Sequence, residues 1–458
     1  MSPLVYITMF GWIPFVLSLF TRFKPRHAVI IAFLTAWLFL PVASFPVKGL
    51  PDYTKMSATC CGVILGAFIF DNKRILLFRP KIVDLPMILW CLCPIASSLS
   101  NDLGLYDGVS EAFNYIVIWG FPFFIGRIYF SSLKGLKEYA SGILIGGMIY
   151  IPLCLFENRM SPHLHAWVYG YMQRSFGQTI RWGGYRPMVF MEHGLMVGTW
   201  MMSATLSAFW LWITGTIRKI GSIPIKWIVL ALFFTSVMTR STGAIALLAV
   251  GMGTLFIGKK INNNLLVVCL LLIPILYMGT RGTGVWTGYN LQEFIANTIS
   301  YERAESLWFR MENENILTEK ALQRPAFGWG GWGRSRVHDE EGKDITVTDG
   351  LWIIILGQNG LAGLGLFTLS LLMPVAIFLR RYPVQKWHYS QIAPAAVLSI
   401  LLGLYMIDNL LNAMVNPIFT VVAGGLTGIA AGETVPNKKP RCQVKASHPK
   451  ANAAPRFL

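Results

Sequence analysis

The sequence predicts an all-α protein, a polytopic membrane bundle of about 12–13 spanning helices with a helical loop domain outside it. Three observations predict it. Apolar runs of spanning length recur from one end of the chain to the other. Of 458 residues, 54% are hydrophobic and 13% charged, with mean hydropathy +0.53; a soluble domain carries roughly 25% charged residues. Basic residues return in every second connection, after the first, third, fifth, seventh, ninth and eleventh apolar runs, from Arg22 to Lys386.

The runs divide the chain into N-terminal spans (1–156), a first long loop (157–187), central spans (188–279), a large loop (280–349), C-terminal spans (350–432) and a tail (433–458). The tail is rich in Pro, Lys and Ala, a composition that predicts disorder. The first run, at about 4–20, lacks a basic leader and a small-residue cleavage site, and is read as a retained helix. The run at 227–239 is short, so with 241–258 it reads either as two spans or as a re-entrant hairpin tipped by Arg240. Basic connections face the cytoplasm. That rule puts the tail inside, and the N-terminus and both long loops outside.

The formal charge is +17. On a soluble chain this would suggest nucleic acid. Here the basic residues largely serve topology, and membrane lipids are the expected partner, not nucleic acid. Neither long loop holds a cysteine, so neither a disulfide framework nor a cysteine metal site is expected. His163 and His165 alone do not make a metal site. No cofactor is expected.

Chemistry concentrates in the loops. The 157–187 loop carries Arg159, Arg174, Arg181 and Arg186 against the single acid Glu157. Pro187 suits a first helical position, which would set Arg186 at a helix entrance, where backbone N–H groups and the helix dipole favour an anion. Arginine adds charged donors matched to phosphate oxygens. The bland alternative is lipid headgroups or acids of the other loop. Arg240 falls on the outer side, against the charge alternation, which favours a cavity or a partner.

The 280–349 loop predicts a helix from about Ser300, a candidate cap, to Leu322, stopped by Pro325. Arg303, Arg310 and Glu314 share one stripe of it, and Ala304, Trp308 and Met311 form an apolar one. Gly328, Gly330 and Gly333 match a dinucleotide fingerprint by letter only, because no strand precedes them. Trp329 and Trp332 suit sugar faces or a membrane interface. Thr348 or Asp349 would cap the next helix, and Asp349 could also serve as a base near the arginines. His193 reads as a structural hydrogen bonder.

Together these features resemble the O-antigen ligase and O-antigen polymerase superfamily. The resemblance rests on Arg303 and Arg310 in the loop helix, Pro325 with Phe327-Gly328-Trp329-Gly330, and Asp349 followed by Gly357-Gln358-Asn359-Gly360-Leu361-Ala362-Gly363. The Arg181–Pro187 entry and Arg240-Ser241-Thr242-Gly243 add to it. It covers roughly residues 180–365. It implies a GT-C-like, metal-independent glycosyltransferase in the bacterial inner membrane. The donor would be an undecaprenyl-diphosphate-linked glycan for surface or exopolysaccharide synthesis at the periplasmic face, with chain-length or export proteins as partners. Arg181, Arg186, Arg240, Arg303 and Arg310 would hold the diphosphate. Asp349 or Glu314 would accept a proton, and Trp329 and Trp332 would line the glycan. The family's ligases carry a histidine where this chain has Thr348-Asp349-Gly350, which favours the polymerase branch over transfer to lipid A-core. A glycan transporter is the competing class. It would place ionisable groups and broken helices near the bilayer midplane.

Overall fold

A computed structural model describes residues 2–47, 49–298, 301–331 and 333–432, without the side chains of Leu50, Glu302, Arg303 and Ser306. The tail at 433–458, Trp332, the Ser300 cap and the Arg303 side chain therefore lie outside the described residues.

The protein is an all-α polytopic bundle. Each expected apolar run carries a helix at its place in the chain order. Among the described residues eight helices are long and apolar enough to cross a membrane, and the Pro3–Phe10 and Trp12–Arg22 pair, bent by 42°, makes a ninth if counted as one span. Pro25–Phe39, Lys55–Phe70, Ile225–Met238 and Pro417–Ala430 are apolar but shorter. At Pro25–Phe39 the apolar run outlasts the helix, because Ser44–Val47 pairs with Leu50–Thr54 as a β-hairpin.

Two helices form the axis. Ala393–Leu411 is 89% buried over its apolar window and Gly194–Ile213 is 78% buried, against 33% for Leu265–Gly282 at the rim. The last helix packs tightly on Phe121–Phe130, since a Cβ at Gly126 or Gly424 would strike backbone of the facing helix. Small residues permit such approach between membrane helices.

The basic connections gather at one end. Arg26 reaches Tyr129 O and Glu138, and Arg127 pairs with Asp84. Lys81 donates to Ala431 O, Arg381 to Ile429 O, and the Val384 amide to Asn264. Thr216 bonds Ser390 O. Ile225–Met238 and Thr242–Ile261 make a hairpin whose base lies at this end, where Gly258 abuts Val384. Its tip, Arg240, sits at the other end with the loops.

The large loop supplies two helices, Tyr289–Thr298 and Tyr301–Leu322. The second buries Ala304 and Met311 of the expected apolar stripe and leaves Trp308 half-buried. An irregular segment then runs over the Leu351–Arg381 helix, which is broken at Gly360 (φ 64°, ψ −164°).

Candidate functional site

Both axial helices end in the loop region, and the polar groups collect around those ends. The Gly194–Ile213 helix begins not at Pro187 but at Gly194, with His193 as N-cap. Residues 187–193 stay non-helical, partly because the buried Glu157 carboxylate takes the amides of Met188 and Val189 at 2.8 and 2.7 Å, and that of Leu164. Arg186 reaches the entrance in space rather than in sequence. Its stem lies where a Cβ on Gly194 would be, 2.3 Å from Cδ.

Arg240 holds this region together. It adopts a left-handed φ of 52° at the hairpin tip. Its Nη1 donates to Arg181 O (2.7 Å) and Trp182 O (2.8 Å), beneath the short β-hairpin formed by Ile180–Arg181 and Gly184–Tyr185. Its own carbonyl accepts from Arg186 Nη2 at 3.1 Å. A Cβ on Gly184 would lie 2.3 Å from the Arg240 guanidinium, so a larger residue there would push that side chain aside. Arg181, Arg186 and Arg240 thus form one unit, fixed largely through backbone carbonyls.

Arg310 arrives from the loop helix. It pairs with Asp349 (Nε to Oδ2, 3.2 Å), both side chains about a third exposed. It also donates to Leu411 O, 3.3 Å away, at the C-terminus of the other axial helix, where the dipole favours a cation. Asp349 therefore does not cap the next helix. Gly350 is the N-cap there, with no side-chain cap bond, and Thr348 accepts from Arg336 instead.

His193 sits among these arginines. Burial, then Arg186, Arg174, Arg181 and Arg310, push its imidazole down to about 4. Its Nδ1 accepts the Leu195 amide at 3.0 Å, which leaves the proton of the neutral ring on Nε2. His193 is thus both the structural hydrogen bonder expected and a neutral N–H donor in a cationic setting. Arg174 is tied to Glu192 at 2.6 Å, and both are exposed. Arg159 is exposed at the end of its helix.

Asp408 was not singled out from the sequence. It is 7% exposed near the end of the axial helix, accepts from Thr199 (3.3 Å) and Asn412 (2.8 Å), and feels the charge of Arg310. The signal was a lone acid inside an apolar run, LGLYMIDNLL, which by default marks function.

Glu314 lies elsewhere. It is 4% exposed, and its carboxylate accepts from Tyr277 (2.9 Å), Arg281 (3.2 Å) and Trp352 (3.1 Å). Arg281 also holds Met311 O, Trp286 O and Thr287 O. This cluster clamps the loop helix to the bundle. Trp329 is also engaged. Its indole donates to Lys320 O at 2.8 Å, and Lys320 Nζ and the Arg324 guanidinium lie 3.9 and 4.9 Å from its ring.

The two glycine motifs lock onto each other. The break at Gly360 strands backbone groups, and the 325–330 segment takes them up. Leu361 N donates to Pro325 O and Ala362 N to Ala326 O, while Trp329 N donates to Gly357 O and Gly330 N to Gln358 O. A Cβ at Gly328 would meet Gln358 backbone at 2.6 Å, and one at Gly360 would meet Ala326 O at 2.5 Å. Irregular backbone at membrane depth survives only when so satisfied. Beside the break opens a polar cavity of about 260 Å³, lined by Asp107, Glu111, Tyr115, Arg334, Gln358 and Asn359 among others.

Among the described residues, no group of three or more His, Cys, Asp or Glu could hold a metal ion. No protein-family model matches this chain, and no curated protein matches it.

Proposed function

We propose that this protein is a glycosyltransferase that lengthens or transfers a glycan carried on undecaprenyl diphosphate, with polymerisation favoured, at the outer face of a bacterial inner membrane. The observation that carries the reading is the gathering of Arg181, Arg186 and Arg310 about His193, with Arg240 bonded to the first two, where both axial helices end. Such a cluster suits a diphosphate, which needs several charge-assisted donors in fixed directions.

In the reaction the acceptor hydroxyl attacks the anomeric carbon of the donor sugar. The bond from that carbon to the diphosphate oxygen breaks, and the diphosphate leaves with the electron pair. Negative charge grows on the leaving oxygen, and preformed guanidinium donors there are worth more than in water. Arg310, Arg240, Arg186 and Arg181 fill that role, and His193 adds a neutral Nε2–H. The hydroxyl proton goes to Asp349, the half-exposed carboxylate beside Arg310. Glu314, engaged by three donors, acts as a clamp. Four guanidinium groups offset the diphosphate charge, so no metal enters this reading. The polar cavity beside Gln358 and Asn359 offers amides and carboxylates suited to sugar hydroxyls.

The broken helix favours a second reading, a transporter, because such breaks often mark substrate sites. Here the break is filled by the 325–330 segment, which suits a brace better than a transport site. The experiment is glycan formation by reconstituted full-length protein given a lipid-diphosphate oligosaccharide, comparing wild type with Arg310→Ala at equal folded amount. Longer lipid-linked glycans from wild type alone support the polymerase. Glycan moved to another lipid makes it a ligase. Movement of the donor between leaflets without new bonds, with or without Arg310, sinks the enzyme reading.

A further inference from the structure

A second cavity, of about 430 Å³, lies at the loop end between the N-terminal helices and the segment before the last helix. Phe33, Ala36, Met56, Ile118, Val415 and Pro417 give it apolar walls. Lys55 and Trp37 line it beside the polar residues Ser44, Thr54 and Thr59. Lys55, the first residue of the Lys55–Phe70 helix, has a buried Nζ, and Trp37 has a buried Nε1. Neither atom has a hydrogen-bond partner. The ammonium lies 4.6 Å from the Trp37 ring centroid, a cation–π contact that uses none of its three N–H donors directionally. The one acid on the wall, Glu192, is held by Arg174 at 2.6 Å.

A buried ammonium without an acceptor is costly, and two orphaned donors in one cavity ask for an anion. Apolar walls ask for hydrocarbon. The start of a helix, where Lys55 sits, adds positive potential. We infer that the cavity around Lys55 and Trp37 binds a phosphate-headed lipid, with the phosphate on Lys55 Nζ and Trp37 Nε1 and the first part of the tail along the apolar wall. The volume suits a small-ligand site and takes the head and first carbons rather than a whole acyl or prenyl chain. A glycerolipid and a prenyl phosphate share this chemistry. The cavity borders the arginine site at Glu192, beside His193, but the inference does not depend on the role proposed there.

The test is native mass spectrometry on full-length, detergent-purified wild type, Lys55→Gln, Lys55→Arg and Arg310→Ala. The probes are dioleoyl phosphatidic acid, farnesyl phosphate, dioleoylglycerol, oleate and inorganic phosphate. A hydrogen bond to a charged group is worth about tenfold or more in affinity. At least one phosphate lipid should therefore bind wild type about tenfold more tightly than dioleoylglycerol or oleate. Lys55→Gln should lose that margin, Lys55→Arg should keep most of it, and Arg310→Ala should not change it. The tighter of the two phosphate lipids identifies the source. The inference is overturned if dioleoylglycerol or oleate binds as well, if inorganic phosphate competes equally, if Lys55→Gln binds like wild type, or if Arg310→Ala weakens binding as much. Should Lys55→Gln fail to fold, the wild-type order of the five probes and Arg310→Ala decide the matter.

Discussion

Arginine is used in opposite ways at Arg127, at the basic end of the bundle, and at Arg240, at the loop end. At the basic end Arg127 is 1% exposed. Its Nε lies 2.6 Å from Asp84 Oδ1 and its Nη2 3.0 Å from Oδ2, and the Phe78 ring lies 5.3 Å from the guanidinium. Its charge is cancelled where it sits. At the loop end Arg240 bonds two carbonyl oxygens, and among the described residues no carboxylate lies within ion-pair distance of Arg240 or Arg181. A carbonyl fixes a guanidinium in place without removing its charge. The first arrangement holds two helices together; the second keeps a cationic surface ready for an anion. Arg310 stands between them, half-exposed and paired with one carboxylate.

The contrast breaks most sharply at Arg127. Arg127→Ala takes the guanidinium away from the buried Asp84 carboxylate, which costs about 3–5 kcal/mol. Thermal melts should show a large loss of folded protein, with glycan transfer per folded molecule near wild type. Arg310→Ala should do the reverse. A half-exposed ion pair is worth at most about 1 kcal/mol, so the melt should barely move, while transfer should fall about 10²–10³-fold. An Arg310→Ala protein that melts early and transfers normally would undo the comparison. Gly360→Ala probes the backbone between the ends. The left-handed φ alone costs about 1–3 kcal/mol, before the contact with Ala326 O, and the melt should fall accordingly, with a similar loss for Gly328→Ala.

The smallest effect is a pH dependence at His193. The folded imidazole is held at about 4, below its ordinary 6.5. Between those values the unfolded chain takes up a proton that the folded protein refuses. His193 thus contributes stability above about 6.5 that is lost as pH falls towards 4. The melting temperature should drop over that window, and less so in His193→Asn, which keeps a capping side chain. An equal drop in both proteins would show that His193 is not held below its ordinary value.

Hydropathy and charge are local properties, and by themselves they determined the all-α class, the order of the helices, and the gathering of the basic connections at one end. They also put Arg310 and Asp349 on the list of candidates. The end of the Pro25–Phe39 helix was not legible, because apolar composition does not mark where a helix stops; that takes a cap or a turn, as at Ser44–Val47. Partners were not legible, since they join residues far apart in the chain. Arg310 meets Leu411 and Asp349, Arg240 meets Arg181, and Glu314 meets Tyr277, Arg281 and Trp352. Glu314 and Arg310 lie four residues apart on one helix, yet only the bundle's packing turned the first inward to a clamp and left the second beside Asp349. The glycine motifs were readable as motifs, but their mutual fit depends on a break whose stranded backbone groups only another segment can satisfy. A side chain's chemistry is set by what surrounds it, and those surroundings exist only once the helices pack.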